Sequence, residues 1–182
     1  MKRVKLVVAY DGTNYCGWQV QKNGETIESV LNRAIGELTG EEIHVMGSSR
    51  TDAGVHACGN VAVFDTEARM AADKFSYALN QRLPEDIRIQ DSCEVPADFH
   101  PRFQKTVKTY EYRILNRECP LPAYRFNSHF TYRKLDVERM RQAAAYLIGE
   151  HDFQSFCAAG AQVKTTVRTI YALDVEKQGD LI

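Results

Sequence analysis

The stretch TIESVLNRAIGELTG, residues 26–40, contains the clearest helix signal in the sequence. Thr26 is a favourable helix N-cap, and Gly40 is a typical helix stop. Between them the apolar residues recur at the spacing of one helix face, and they are Ile27, Val30, Leu31, Ala34, Ile35 and Leu38. The sequence therefore predicts an amphipathic helix whose single apolar face packs on a sheet.

Strand-like segments lie on both sides of this helix. Residues 3–10 are rich in β-branched and apolar side chains and end at Asp11 and Gly12, which favour a turn. Asp73 and Asp136 are predicted to cap two further helices, and residues 178–180 are predicted to form a hairpin turn. Further strands are predicted at 43–46, 61–64, 87–95, 107–115, 130–132 and 167–175. This order of elements predicts an α+β fold with antiparallel sheets, divided near residues 96–106.

Composition excludes several classes of protein. The 182 residues are 44% apolar and 26% charged with a net charge of −1, an ordinary balance for a globular chain. The five cysteines are scattered and form no Cys-x-x-Cys pair, so neither a disulfide framework nor a metal site is expected. No apolar run approaches the roughly 20 residues of a membrane span, and the N-terminal apolar stretch is too short for a signal peptide. A cytoplasmic protein is expected.

The polar stretch GSSRTDAGVHAC, residues 47–58, is the best candidate for a functional site. It lies between two predicted apolar strands, where loops commonly carry function. Arg50 and Asp52 are two residues apart and could pair, and a partly buried carboxylate near a guanidinium stays ionised at neutral pH. Such a carboxylate could act as a nucleophile or as an electrostatic stabiliser. From the residues alone, a surface turn with an ion pair explains the pattern better than a reactive site does.

Six segments in order resemble one known family. The segment SRTDAGVHA, residues 49–57, closely resembles the motif GRTDxGVHA of the tRNA pseudouridine synthase A family. Five other segments resemble that family: YDGTNYCGWQ (10–19), TIESVL (26–31), FHPRF (99–103), KTYEYR (108–113) and GEHDFQSF (149–156). They run along nearly the whole chain, so the resemblance is specific.

The resemblance implies a fold and an activity. The fold would consist of two ferredoxin-like or RRM-like α/β halves, residues 1–100 and 101–182, forming a largely antiparallel sheet with helices on one side. Because family members are usually longer, the second half is expected to be incomplete. The implied activity is isomerisation of uridine to pseudouridine at positions 38–40, in the anticodon arm of tRNA. No cofactor or metal is implied, and the enzyme would act as a homodimer.

The resemblance also implies roles for four residues. Asp52 would be the essential carboxylate, acting either by covalent addition to the substrate or by removing a proton from the ribose. Arg50 would pair with Asp52 and help hold the extruded base, and His56 would also contact the substrate. Tyr110 would stack on the flipped uracil, with Asp52 facing it across a cleft between the halves. Without the resemblance, Tyr110 would be read as a core tyrosine on a half-buried strand.

Two positions depart from the family pattern. The family usually has glycine at Ser49 and glutamine at Asn60. If residue 49 needs a positive φ, serine costs about 1 kcal/mol there. Asn60 has a shorter side chain next to the site.

Other interpretations remain open. Residues 98–141 contain ten Lys and Arg against five Asp and Glu, which favours either a phosphate-binding surface or a solvated mixed face. The chain could also be a shortened RNA-binding remnant without turnover, or an unrelated α+β module that binds a small ligand at the loop of Arg50 and Asp52.

Overall fold

The computed structural model describes residues 1–157 and 165–182, which form two compact units, Met1–Val107 and Lys108–Ile182. The predicted α+β class is confirmed in its coarser form, since the fold is mixed, with a largely antiparallel sheet and few helices. The ferredoxin-like description of both halves stays a prediction, as does a boundary after residue 100. Within the described ranges, no helix is both long enough and apolar enough to span a membrane.

The first unit contains four strands and two helices. They are β1 (Lys2–Tyr10), α1 (Ile27–Thr39), β2 (Met46–Gly47), β3 (Ala57–Thr66), α2 (Phe75–Asn80) and β4 (Ile87–Val95). The strands form one antiparallel sheet in the order β2-β3-β1-β4. Alternate residues of β1 are buried, and they are Val4, Leu6, Val8 and Tyr10. The alternation gives the sheet one face that is covered by the core.

Helix α1 follows the sequence prediction closely. Thr26 is its N-cap, and a reciprocal pair of hydrogen bonds with Ser29 forms a capping box. Gly40 ends the helix in the left-handed conformation at φ 75°. The buried residues of the helix are Ile27, Val30, Leu31, Ala34 and Ile35, all of them on the predicted apolar face.

Two local predictions in the first unit are wrong. The strand predicted at 43–46 is limited to Met46–Gly47, because the Val45 amide donates to Asn32 Oδ1 at 2.8 Å instead of to a strand partner. Asp73 does not cap a helix by its side chain but lies in a 3-10 turn leading into α2. Early in α2, the Ser76 amide donates at 2.9 Å to the Ser92 hydroxyl on β4.

Strand β4 is an edge strand of the described sheet. Its bounds match the predicted strand at 87–95. At one point along this edge, the side chain of Asn80 bonds to both backbone groups of Ile89. Asn80 Oδ1 accepts from the Ile89 amide at 2.8 Å, and Nδ2 donates to the Ile89 carbonyl at 2.9 Å.

The second unit contains shorter elements. They are β5 (Ile114–Asn116), β6 (His129–Thr131), α3 (Val137–Ala145), β7 (Gly149–Asp152) and β8 (Val167–Ile170). β5 pairs with β6 in parallel, and β7 pairs with β8 antiparallel. Asp136 caps α3 as predicted, accepting from the Arg139 amide at 3.1 Å. The predicted hairpin turn is confirmed by the backbone bonds between Gln178 and Leu181.

Several predicted elements of the second unit are shorter than expected. The strand predicted at 107–115 is present only at Ile114–Asn116, where Ile114 exchanges backbone hydrogen bonds with Ile182 at 2.7 and 2.9 Å. Residues 108–113 form no regular structure. The strand predicted at 167–175 ends at Ile170. An alternating sequence thus forms a strand only where a partner pairs with its backbone.

Candidate functional site

Three of the four predicted site residues lie on one exposed loop. Residues 48–56 connect β2 to β3 and are called the Asp52 loop below. Arg50, Asp52 and His56 all lie on this loop and are exposed. Tyr110 belongs to the second unit, in the irregular segment 108–113, and its side chain is 81% exposed. The alternative that Tyr110 is a core tyrosine is therefore wrong.

The Arg50 and Asp52 side chains do not form the predicted ion pair. Both lie within residues 1–157, and no hydrogen bond or salt bridge joins them there. Both are exposed rather than partly buried, so hydration competes with pairing. The residue between them, Thr51, directs its hydroxyl towards Tyr10 and its carbonyl towards the Trp18 amide. Thr51 therefore ties the middle of the loop to Tyr10 and to the segment after β1, whereas Arg50 and Asp52 do not pair with each other.

Asn60 holds the start of the Asp52 loop from beneath. It is buried on β3, and its Oδ1 accepts from the Ser48 hydroxyl at 2.9 Å and from the Ser49 amide at 3.3 Å. Its Nδ2 donates to the Ser49 carbonyl at 3.1 Å. Among the described residues no non-glycine has a positive φ, so the strain considered for Ser49 does not arise.

Tyr10 holds the middle of the loop. Its hydroxyl shares a hydrogen bond of 2.8 Å with Thr51 Oγ1 and lies 3.5 Å from Asn60 Nδ2. Burial raises the pKa of Tyr10, while the hydrogen bonds with Thr51 and Asn60 oppose the rise. The hydroxyl is therefore neutral at physiological pH and can donate to Thr51.

The segment after β1 supports the other side of the loop. The Trp18 amide donates to the Thr51 carbonyl at 3.0 Å, and the Gly54 amide donates to the Tyr15 carbonyl at 3.3 Å. A turn follows Asp52, in which Gly54 has a φ of 78°. Gly12 packs so closely on this turn that a Cβ there would lie 2.1 Å from a backbone oxygen. Glycine is required at this contact.

Trp18 fills the space beneath the beginning of the loop. Its indole is buried and lies 5.9 Å from the Tyr10 ring, centroid to centroid. Gly47, the last residue of β2, faces the indole so closely that a Cβ would lie 2.4 Å from it. Arg102 donates through Nε to the Gly47 carbonyl at 3.0 Å. The segment FHPRF thus contributes a contact that fixes the point where the loop begins.

His56 ends the loop next to Asp11. The imidazole Nδ1 lies 3.0 Å from Asp11 Oδ1, and the Gly12 amide points at the same nitrogen from 3.3 Å. A protonated Nδ1 donates to Asp11, whereas an unprotonated Nδ1 accepts from Gly12. Hydrogen bonds from the Thr13 side chain and backbone, with smaller contributions from His56, lower the pKa of Asp11. His56 therefore faces an ionised carboxylate.

The basic stretch at 98–141 is partly used in ion pairs. Four of its arginines lie within 3.4 Å of a carboxylate, in the exposed or half-exposed pairs Arg113–Glu111, Arg117–Asp180, Arg139–Asp136 and Arg141–Glu138. These four contacts fit the mixed, solvated face better than a uniform phosphate-binding surface.

The sequence placed Asn60 next to the site but did not identify Asn60 or Tyr10 as supports of the loop. Asn60 is the one polar residue in the otherwise apolar run NVAVF, residues 60–64, and a buried amide in a strand requires partners. Tyr10 is the last of the alternate residues of β1 that are buried. This pattern indicates that its side chain is buried but does not indicate its hydrogen bond to Thr51. Those partners come from the tertiary fold.

The mixed fold with a largely antiparallel sheet is consistent with one class of RNA-modifying enzyme, the pseudouridine synthases. The profile of the tRNA pseudouridine synthase family matches residues 6–104 and 143–182. The chain belongs to this family, whose members are isomerases that convert uridine to pseudouridine, and the resemblance stated from the sequence is confirmed.

Individual relatives give the same result. The tRNA pseudouridine synthase A of Acetivibrio thermocellus is 47% identical over 182 residues, covering 100% of this chain and 75% of the relative. That of a Thermoanaerobacter species is 48% identical over 183 residues, with the same coverage. That of Citrifermentans bemidjiense is 47% identical over 182 residues and is covered to 73% of its length.

Proposed function

We propose that this protein isomerises uridine to pseudouridine in the anticodon stem-loop of tRNA, with Asp52 as the essential carboxylate. Family membership supports the reaction. The observation that carries the assignment is that Asp52 is an exposed carboxylate on a loop held from two sides. Asn60 and the segment after β1 bond to the loop backbone, and Tyr10 bonds to the Thr51 side chain. An accessible reactive group on a fixed backbone is what a catalytic site requires.

The reaction exchanges one glycosidic bond for another. The bond from N1 of uracil to C1′ of ribose breaks, the uracil rotates, and a bond from C5 to C1′ forms. The proton on C5 leaves, and N1 gains a proton, so the atoms balance and no electrons are lost or gained. Asp52 acts either by covalent addition to the substrate or by removing a ribose proton, and both routes need an ionised carboxylate next to the uridine.

Tyr110 and the basic loop residues are proposed to hold the extruded base. A uridine inside a stem has to leave the stack before its glycosidic bond can be reached. The exposed ring of Tyr110 offers a stacking surface, and stacking of a base on an aromatic ring contributes about 1–3 kcal/mol. Arg50 provides an exposed charge two residues from Asp52, and His56 lies at the end of the same loop.

The test is mapping of pseudouridine in unmodified tRNA after incubation with the full chain. Asp52→Asn is expected to lower the rate by at least about 10²-fold, the range for a lost catalytic proton-transfer group. The matched control is Asp91→Asn, which makes the same change at an exposed carboxylate on β4. Product formed by Asp52→Asn at the Asp91→Asn rate would refute the role of Asp52.

The same mapping, together with a measurement of tRNA binding, distinguishes an active enzyme from an RNA-binding remnant. Such a protein would bind tRNA without forming pseudouridine, and Asp52→Asn would leave the binding constant unchanged. An enzyme is expected to form pseudouridine at the anticodon arm, and product elsewhere in the tRNA would overturn the proposed site.

A cytoplasmic homodimer is the proposed form of the protein. The family resemblance supports both the location, where tRNA is found, and the assembly. Sedimentation would then give twice the chain mass of 20.7 kDa, and a monomer at all protein concentrations would contradict the dimer.

A further inference from the structure

We propose that Asn60 and Tyr10 are positioning residues that fix the backbone from which Asp52 projects. This proposal rests on the proposed function, because it concerns the placement of the carboxylate assigned there. Asn60 is 6% exposed and Tyr10 is 5% exposed, so neither side chain is available as a direct contact to RNA. An effect of either residue on the reaction would therefore pass through the Asp52 loop.

Asn60 satisfies both backbone groups of Ser49. Its carbonyl oxygen accepts from the Ser49 amide, and its amide nitrogen donates to the Ser49 carbonyl. Only a side-chain amide offers a donor and an acceptor in this arrangement. A carboxylate at residue 60 would face the Ser49 carbonyl with like charge, and an apolar side chain would leave both groups of Ser49 without this partner.

Tyr10 adds a second point of attachment two residues further on. Asn60 Nδ2 points at the Tyr10 hydroxyl, which leaves the hydroxyl proton for Thr51 Oγ1. The two side chains thus form one buried chain of hydrogen bonds, from Ser49 through Asn60 and Tyr10 to Thr51. Networks of this kind are stabilising only when every member is paired, so loss of one member loosens the others.

Asp52 is the first residue beyond this network. With residues 49 and 51 held from inside, the position of the Asp52 Cα is set, while its side chain stays in solvent. A displacement of about 1 Å in a reacting group lowers rates by up to about 10²-fold. The network is therefore expected to affect the chemical step much more than the binding of tRNA.

The test measures kcat and KM for tRNA in Tyr10→Phe, which removes only the hydroxyl, and in Asn60→Leu, which removes the amide. Each is expected to lower kcat by about 10-fold to 10²-fold and to leave KM within about 2-fold. Asn60→Gln keeps the donor and the acceptor and is expected to recover most of the lost kcat. Phe75→Leu weakens the same core at α2 and is expected to leave kcat unchanged.

The outcomes separate this proposal from the proposed function. If Asp52→Asn is inactive while Tyr10→Phe and Asn60→Leu keep the original kcat, the positioning role is wrong and the role of Asp52 stands. If Asp52→Asn is active, the proposed function fails instead. A raised KM with unchanged kcat in Tyr10→Phe would also overturn the positioning role, because it would indicate a contribution to binding.

A second measurement does not depend on turnover. Amide hydrogen exchange of residues 49–55 in the full chain reports directly whether the loop is held. Tyr10→Phe is expected to raise the exchange rate there by at least about 10-fold, because the loss of one hydrogen bond lowers the free energy of local opening. Phe75→Leu is expected not to change exchange selectively in that segment. Unchanged loop exchange in Tyr10→Phe would refute the network even if Asn60→Leu failed to fold.

Discussion

At the scale of single residues, Trp18 combines a packing role with an unpaired polar group. Its Nε1 is buried and has no acceptor among the described residues. A buried donor without a partner costs about 1–3 kcal/mol. The ring nevertheless fills the space between Tyr10 and Gly47, beneath the start of the Asp52 loop. The packing of the indole thus stabilises this region, and its unpaired N–H lowers the net stabilisation.

Arg3 and Asp65 form a bidentate ion pair in the first unit. Arg3 donates through Nε and Nη2 to the two carboxylate oxygens at 2.8 and 2.7 Å. The hydrogen bonds from Arg3 lower the pKa of Asp65 in the folded protein. A lowered folded pKa means that the stabilisation is present above the unfolded pKa and is lost as pH falls through the folded pKa.

Asp65→Asn is therefore expected to lower the free energy of unfolding at pH 7 by about 1 kcal/mol or less, since the Asp65 side chain is 36% exposed and partly screened. The difference between the two proteins should begin to shrink as pH falls below about 4, where the aspartate of the unfolded chain becomes protonated. It should disappear only below the lowered folded pKa of Asp65. Urea unfolding from pH 7 down to pH 3 measures this, with Asp91→Asn as the matched substitution at another carboxylate of the same sheet. A constant difference at every pH would contradict the assignment.

At the scale of elements, the N-terminus of α1 is held by its cap. Thr26 is fully buried and accepts from the Ser29 amide, while Ser29 accepts from the Thr26 amide. Thr26→Ala is expected to lower the free energy of unfolding by about 1–2 kcal/mol, because it removes the cap and a buried methyl group.

Thr26→Ser is the matched variant, since it keeps the hydroxyl and loses only the methyl group. It is expected to recover at least half of the loss, and urea denaturation compares the two. Equal destabilisation by alanine and serine would assign the effect to packing and not to the cap.

The elements that sequence predicted well are those whose periodicity and end signals agree. Helix α1 has both an apolar stripe and two caps, and β4 has the predicted bounds. Prediction failed where contacts distant in sequence determine the backbone conformation. At Val45 the backbone amide bonds to the Asn32 side chain, and residues 108–113 have no strand partner among the described residues. Such partners depend on tertiary contacts that local patterns do not encode.

The candidate site divides in the same way. The motif around Asp52 was visible in the sequence, and the structure places it with Arg50 and His56 on one exposed loop. The prediction of an ion pair between Arg50 and Asp52 was wrong, because the spacing of two residues in the sequence does not fix the directions of their side chains. The buried supports, Asn60 and Tyr10, lie on two different strands, so only the register of β1 with β3 brings them together.

At the scale of the whole molecule, burial is unevenly distributed. Among the described residues, every buried hydrophobic residue except Leu115 and Ala144 lies in Met1–Val107. Regions with few buried apolar contacts open at lower free energy than the core of the same protein. The two units are therefore expected to differ in local stability.

Hydrogen exchange of the full chain tests this expectation. Amides of β1 and β3 should exchange slowest, and those of β5 to β8 should exchange at least about 10²-fold faster, equivalent to about 3 kcal/mol of opening free energy. Equal protection of β3 and β7 would contradict it.

The side chain of Asn80 has a further consequence at the free edge of β4. An exposed edge strand offers its backbone groups to any passing strand and is a common start of aggregation. Here the amide of Asn80 already occupies both groups of Ile89, as a neighbouring strand would do for one residue. A strand added by another molecule would have to displace two hydrogen bonds near the start of that edge, so a single asparagine makes unwanted pairing less favourable at the third residue of a nine-residue strand.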